Sequence, residues 1–384
     1  MIQLKGMTWD HVRGIAPLKE ATKHFKQMNP TVEIIWDARS LKDFEDFPLE
    51  SLADQYDFLL VDHPFIGTGV SKNILTPLDD YLPESYLLDQ KQNSVGKSFS
   101  SYTWENKQWA LAVDAASQVA VYREDLLSKL NLQVPDSWED VIRLIKELPG
   151  NYKVGIPLNP THCFLSFLAL CVNHDDEGFW TEEGINPDAA AASLHLLRTL
   201  TPLLHSSSLD VNPIQMSEAM ASEGEIVYSP LMFGYVSYAR KEFTKRVLRF
   251  TDIPSAHPEP KGGILGGVGL AISAYSKHKE VASEFVKLVG SENFQVGPYF
   301  ESGGQPGHRR AWEAPAVNDC SNYFFKNTLR SLDYSYLRPR FSGYPLFQEK
   351  VGYIINEYLK KGGNTFDLIH TINNLYREFK MVAT

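Results

Sequence analysis

Two short loops carry the side chains best suited to chemistry. The first is Trp9-Asp10-His11, with Arg13 two residues on; the second is Asp62-His63-Pro64. Each sets a carboxylate beside an imidazole, and the first adds a large aromatic face. Asp10 and Asp62 can each accept two hydroxyl hydrogens, and Arg13 brings a forked donor. Trp9 can stack on an apolar ring face. That mixture suits a polyhydroxylated ligand, whose C–H faces pack on aromatic rings while its hydroxyls seek acceptors and donors. The same residues admit two other readings. Asp62 with His63, or Asp10 with His11, makes a general-base pair for an enzyme. Alternatively, Trp9 is core and the polar residues belong to solvated loops.

The elements around these loops follow from periodicity. Ile2 and Leu4 alternate with polar neighbours as a strand, and Leu18, Ala21, Phe25 and Met28 recur at helical spacing. Asn29-Pro30 stops that helix, because proline disfavours the helical region for the residue before it. Val32, Ile34 and Trp36 alternate again, and Phe58–Val61 is a solid apolar run of the kind buried on both faces. Strand, helix, strand predicts an α/β chain with a mostly parallel sheet. In such sheets ligands lie beyond the carboxyl ends of the strands, where both loops fall. Further on, Ser137 is the predicted N-cap of a helix, with Asp140 in the capping-box position and Val141, Leu144, Ile145 and Leu148 as its stripe. A later helix runs through Val281, Ala282, Phe285, Leu288 and Val289, with Gly290 as its stop. Pro254–Gly263 and Ser302–Gly307 read as either crossings between lobes or surface loops.

Bulk properties narrow the class. A chain of 384 residues exceeds one ordinary core, so two lobes are expected. Lys plus Arg number 37 against 47 Asp plus Glu, a net charge of −10, which argues against a nucleic-acid partner. The longest apolar run, Phe164–Val172, falls well short of the roughly 18 residues of a membrane span and reads as a buried helix. Three cysteines (Cys163, Cys171, Cys320) make no disulfide framework, and free buried thiols are expected rather than one bridge. No phosphate-binding loop, zinc motif or nucleophile elbow occurs, and Gly267-Val268-Gly269 lacks the third glycine of a dinucleotide fingerprint. Asp175-Asp176 reads as an acidic loop in preference to a calcium site. No cofactor and no metal are therefore expected. Met1 leads directly into the first strand without a signal-peptide pattern. The expected location is periplasmic or cell-surface if a signal has been removed, and cytoplasmic if Met1 is the native start.

A series of segments in order resembles the extracellular solute-binding proteins of ABC importers, in particular the maltose-binding-like sugar receptors. Phe25 to Ile34 (FKQMNPTVEI) resembles their first helix running into their second strand, and Tyr56 to Val61 the strand before the first ligand loop. Leu75 to Leu82 is similar to "L-x-P-L-D-x-Y", and Asn106 to Ala112 stands in for a "G-K-x-Y-G-L-P" hairpin, with Asn106 for the glycine and Ala112 for the proline. Val121 to Leu127 resembles "Y-N-K-D-L-F", Pro135 to Glu139 "P-x-T-W-E", and Gly267 to Phe285 a crossover strand and helix.

The resemblance implies a two-lobed periplasmic-binding-protein-like fold of type II, with discontinuous lobes and a central cleft. One lobe would comprise residues 1–112 and 262–302, the other 113–261 and 303–384. It implies a receptor, not an enzyme, that captures a sugar, oligosaccharide or sugar acid by hinge closure. As a monomer, it would then deliver the ligand to ABC permease subunits. A cytosolic binding protein or enzyme on the same scaffold is the alternative. By the same resemblance Asp114 and Gln118 line the cleft floor. Tyr228, Phe233 and Tyr235, around a turn-like Ser229-Pro230 and Gly234, face the cleft or fill core. Gly266 and Gly267 let backbone amides approach the ligand, and Gln305, His308 and Arg309 follow the third crossing. With His11, Arg13 and His63, the last two make a cationic set that would suit a carboxylate or phosphate on the ligand.

Overall fold

The computed structural model describes residues 1–41, 49–174, 179–222 and 224–382; Asp175 and Asp176 lie outside the described residues. In chain order, the strands that matter here are β1 (Ile2–Trp9), β2 (Val32–Arg39), β3 (Phe58–Val61), β4 (Leu111–Tyr122), β5 (Lys153–Val154), β6 (Ile226–Phe233), β7 (Arg249–Thr251) and β8 (Leu265–Ser273). The helices are α1 (Val12–Met28), α2 (Trp138–Glu147), α3 (Pro160–His174) and α4 (Lys279–Gly290). The local signals held. Asn29 ends α1, the Ser137 hydroxyl accepts from the Asp140 N–H at 3.1 Å, and the apolar run Phe164–Val172 lies buried in α3.

The chain forms two units. The first comprises Met1–Ala116, Gly266–Cys320 and Pro339–Pro345; the second comprises Ser117–Leu265, Ser321–Arg338 and Leu346–Thr384. Its first piece runs to Ala116 and its second to Cys320, beyond the ends at 112 and 302 expected from sequence. Hydrogen bonds give the reason: after the Gly303-Gly304 turn the chain returns to β4. There the Ala115 N–H donates to the Gln305 carbonyl at 3.1 Å and the Gly307 N–H to the Val113 carbonyl at 3.1 Å. Both Pro/Gly-rich stretches lie inside a unit. Pro254–Gly263 is tied to the end of α3, with the Asn173 amide donating to the Lys261 carbonyl (2.8 Å) and the Ser255 hydroxyl (3.2 Å).

In the first unit the sheet order is β2-β1-β3-β8. β1 is parallel to β2 from Ile2↔Val32 to Trp9↔Arg39 and parallel to β3, but β8 is antiparallel to β3. The sheet is therefore mixed, where a mostly parallel one was expected. α1 supplies a β–α–β crossover between β1 and β2; β8 arrives from the second unit with no such helix. Alternation then sorts side chains onto two faces. Leu4, Ile34, Phe58, Leu60, Leu270 and Ile272 pack under α1 and α4, while Met7, Leu59, Val61 and Ala271 meet Leu52, Ile66 and Tyr102. Phe285 meets Phe25 edge-on at 5.4 Å and Phe58 at 5.1 Å. Gly290 is the last residue of α4, not a left-handed stop; a Cβ there would lie 2.2 Å from the Leu111 side chain. Asn106 (φ 60°) follows Glu105 (φ 50°) at the tip of the short hairpin that opens the Asn106–Ala112 segment. Asparagine tolerates this left-handed backbone, which is why it can replace the glycine of the resembled pattern.

In the second unit β4 pairs antiparallel with β6 and with β7, and β6 pairs parallel with β5. Ser229-Pro230 is not a turn. It sits within β6 at a register shift between Ser229 and Met232, where a bulge accommodates a residue with no N–H for the ladder.

The short piece Pro339–Pro345 is strapped to the rest of the first unit. Arg340 Nη1 donates to the carbonyls of Ser100 (2.8 Å), Ser101 (3.0 Å) and Thr103 (2.9 Å), and its guanidinium lies 5.5 Å from the Trp104 ring. Thr68 donates to the Ser342 carbonyl at 2.7 Å. A Cβ on Gly67 would sit 1.8 Å from the Arg340 carbonyl oxygen. Gly67→Ala is therefore expected to destabilise the protein by about 1–3 kcal/mol, the usual cost of overpacking, read as a lowered urea midpoint. An unchanged midpoint would contradict this packing.

Candidate functional site

The loops after β1 and β3 do lie at the carboxyl ends of their strands, all within the first unit. His11 caps α1, its Nδ1 accepting from the Arg13 N–H at 3.2 Å. Asp10 is exposed, its N–H donating to the Arg39 carbonyl at 2.6 Å. Asp62 is half-buried beside His63, with Oδ1 and Nδ1 3.2 Å apart, and His63 is fully buried. Met7, Leu60, Val61, Asp62 and Phe65 line a small open recess of about 10 Å³, room for one water. A larger groove of about 430 Å³ between Leu82, Leu87, Leu88 and Phe99 contains none of the candidate residues.

Several expectations need correction. Trp9 is 3% exposed and belongs to the core; Gly14 is a glycine because a Cβ would lie 2.5 Å from the Trp9 ring. The indole is thus not an open stacking platform. Arg13 is also buried, and its fork is closed on Asp114: Nε reaches Oδ2 at 2.7 Å and Nη2 reaches Oδ1 at 2.6 Å. Asp114 is 1% exposed. Burial drives its carboxyl above the usual carboxylate range, opposed by the charge and hydrogen bonds of Arg13 and by the Val268 N–H. The two groups satisfy each other; neither presents an open fork to a ligand. Gly267, at φ 93°, lets β8 pass close to β4, since a Cβ would meet the Asp114 carbonyl oxygen at 2.4 Å. Its freedom serves strand packing rather than a ligand, and Gly266 beside it is half-buried. Gln305 is fully buried, and its amide donates to the Ala115 carbonyl at 2.8 Å. His308 caps the short helix Arg309–Glu313, while the half-buried Arg309 lies 3.8 Å from Glu313.

Burial favours the uncharged form of two of the imidazoles, His11 and His308. Burial, helped by the charge of Arg13, pulls His11 down to about 4. Burial also lowers His308, against the pull of Glu292 and Asp89.

In the second unit Gln118 is buried, and its Oε1 accepts from the Ile264 N–H at 3.1 Å. Tyr228 is fully buried within the sheet, which pushes its phenol well up; it is core. Tyr235 is 6% exposed and begins the turn Val236–Ala239, so of the three aromatics only Phe233 is half-buried, edge-on to His162 at 5.8 Å. Cys163 and Cys171 are buried free thiols, burial raising Cys171 to about 12, while Cys320 is exposed. Among the described residues no three or more His, Cys, Asp or Glu gather as metal ligands, and no helix is long and apolar enough to cross a membrane.

Sequence reasoning missed Gln295, Tyr299 and Tyr102. Gln295 Nε2 donates to the carbonyls of Val113 (3.1 Å) and Val289 (2.8 Å) from a π-helical turn, Gln295–Tyr299. Tyr299 is buried, its phenol raised by burial and by the charge of Asp114. The Tyr102 hydroxyl reaches the Val61 and Gly267 carbonyls at 3.2 and 3.3 Å. Amphipathic spacing flags none of these, because each is a polar group inside an apolar environment.

Removing one partner of the buried pair strands the other. Arg13→Met is expected to cost about 3–5 kcal/mol, whereas Arg13→Met with Asp114→Leu should regain most of it; chemical denaturation of both variants checks the pair. His11 provides a pH test. Its folded value near 4 lies below the ordinary 6.5, so between these the unfolded chain binds the extra proton and stability falls as pH falls. His11→Asn keeps a capping oxygen but no titrating ring. Its Tm should drop less than that of the wild type between pH 7 and pH 4.5; parallel curves would remove the imidazole as the cause.

Known proteins share this fold. The chain is similar over its whole length to maltose-bound MalE3 of T. maritima, at 17% identity and a TM-score of 0.84, with 100% of each chain covered. An ABC transporter solute-binding protein of Agrobacterium radiobacter K84, in complex with ribitol, aligns at 16% identity and a TM-score of 0.81, over 99% of this chain and 98% of the other. One from Thermotoga lettingae TMO, bound with α-D-tagatose, aligns at 13% identity and a TM-score of 0.81, with 100% of each chain covered. The α/β periplasmic-binding-protein fold is the one these proteins share. Residues 20–306 match the family of bacterial extracellular solute-binding proteins, about three quarters of the chain. By that match and that fold, the chain belongs to the bacterial extracellular solute-binding proteins.

Proposed function

We propose that this receptor captures an uncharged polyhydroxylated solute, a sugar or sugar alcohol. As a monomer it closes around its cargo and presents it to an ABC permease from the periplasm or cell surface. One observation carries the choice of an uncharged ligand: the cations at the strand ends are matched or neutral. Arg13 is forked on Asp114, Arg309 lies near Glu313, and burial keeps His11 and His308 in the neutral form. A ligand carboxylate would lack an unmatched forked donor, so the sugar acid suggested by residue types alone is disfavoured. Neutral imidazoles, the exposed Asp10 and the half-buried Asp62 are suited to exchanging hydrogen bonds with hydroxyls. Maltose, ribitol and tagatose, the ligands of the relatives above, are uncharged polyols of this kind. The enzyme alternative gains nothing from His63, since a fully buried imidazole cannot reach a substrate proton.

Mass spectrometry of small molecules released on denaturing the purified protein should find a stoichiometric neutral carbohydrate. Calorimetric titration should then give at least roughly tenfold weaker binding, about 1.4 kcal/mol, for the corresponding sugar acid. Equal or tighter binding of the acid overturns the charge assignment, and a released metal, nucleotide or substrate–product mixture overturns the receptor reading.

A further inference from the structure

The groove of about 430 Å³ in the first unit is walled by the nine-residue helix Glu84–Gln92. That helix turns Glu84, Leu87, Leu88 and Lys91 into it. Their spacing, i, i+3, i+4 and i+7, is that of a single helix face. Leu82, Leu87 and Phe99 are buried and form the floor, and Leu82 and Leu87 belong to the same core as Phe285. Leu88 is 53% exposed among them. Another face of the helix is fixed to the end of α4: the Tyr86 hydroxyl donates to the Lys287 carbonyl and the Gln90 amide to the Gly290 carbonyl, both at 3.0 Å.

The charges at the two ends of the groove face are the ones left over. Nearby, Asp79 Oδ2 accepts from the Gln108 N–H at 2.7 Å, Asp80 Oδ1 meets Lys107 at 3.3 Å, and Asp89 Oδ1 accepts from the Asn93 amide at 2.9 Å. Among the described residues, neither Glu84 nor Lys91 has an ion pair. The face reads acid, leucine, leucine, base, and it is symmetric about the midpoint between Leu87 and Leu88. Turned end for end, it presents a base to its own acid and an acid to its own base.

We propose that this face is a self-complementary contact for a second copy of the chain. Two such helices, laid antiparallel about a two-fold axis through the Leu87–Leu88 midpoint, set Glu84 of each copy opposite Lys91 of the other, each about 5 Å along the helix from the axis. The two Leu88 side chains meet near the axis and fill the grooves over Leu82, Leu87 and Phe99. A nine-residue helix is only about 14 Å long. It cannot bury the roughly 800 Å² per partner of a standard interface, so the dimer is weak and dilute protein remains the monomer of the proposed receptor.

Sedimentation velocity of the full-length, ligand-free protein, from micromolar to millimolar concentration, tests this independently of the sugar reading. The wild type should show a monomer–dimer equilibrium that added salt weakens. Glu84→Lys and Lys91→Glu should each weaken it roughly tenfold, since symmetry turns two attractive pairs repulsive at once. Glu84→Lys also makes the chain less acidic than its −10, which on its own eases self-association, so weakening in that variant reports the local pair. An equimolar mixture of the two variants, or both substitutions in one chain, should restore pairing. Leu88→Asp should abolish it. A monomer at every concentration overturns the proposal and leaves the groove to a different partner or an amphiphile. A dimer indifferent to these substitutions, or single variants that the mixture does not rescue, overturns it as well.

Discussion

A carboxylate with 1% exposure survives in a protein only opposite a cation, and the bidentate Arg13–Asp114 pair is the constraint around which the first unit is arranged. To place Arg13 there, α1 must begin two residues after β1, and His11 must cap it. Burying the guanidinium beside that cap adds its charge to the desolvation of the imidazole, so His11 stays neutral. Asp114 in turn requires β8 to pass close enough for the Val268 N–H to reach its carboxylate, which only a glycine at 267 permits. Gln295 and Gln305 then satisfy the carbonyls on either side. Such a network stabilises only when every member is satisfied, so these residues stand or fall together.

The same pair sets the electrostatic character of the strand ends. Counted by residue type, the loops look strongly cationic. Counted by hydrogen bonds, the cations are matched, and the carboxylates of the exposed Asp10 and the half-buried Asp62 give the loops an acidic balance. A charged group inside a protein acts on its surroundings through what remains uncompensated, and here no cationic excess remains.

At 13–17% identity to the solved relatives, few specific contacts can be shared, yet the fold is. In this chain the fold rests on pattern: period-two alternation that sorts β1, β3 and β8 onto two packed faces, and helical stripes on α1 and α4 that cover one of them. Within that frame local devices fit particular residues. The left-handed Asn106 does the work of a glycine, and a bulge lets β6 carry Pro230.

How much was readable in advance divides along a physical line. The chain order of hydrophobic residues was enough to place β1, α1, β2 and β3, the Ser137 cap and the buried α3, because these depend on neighbours a few residues apart. It was also enough to put the candidate loops at strand ends and to carry the family resemblance. Local pattern took Ser229-Pro230 for turn-like and the sheet to be mostly parallel, since each depends on pairing with strands far along the chain. The site divided the same way. Residue type for Arg13, and the resemblance for Asp114 and Gln305, marked them as ligand candidates, but their role could not be read, because an arginine is a ligand donor or half of a buried pair according to what lies 101 residues away. Trp9 is core for the same reason. The sequence alone determined which residues are apolar, where helices start and stop, and which family the chain resembles. Only the tertiary structure decided which charges cancel, because cancellation depends on distances that local order does not fix.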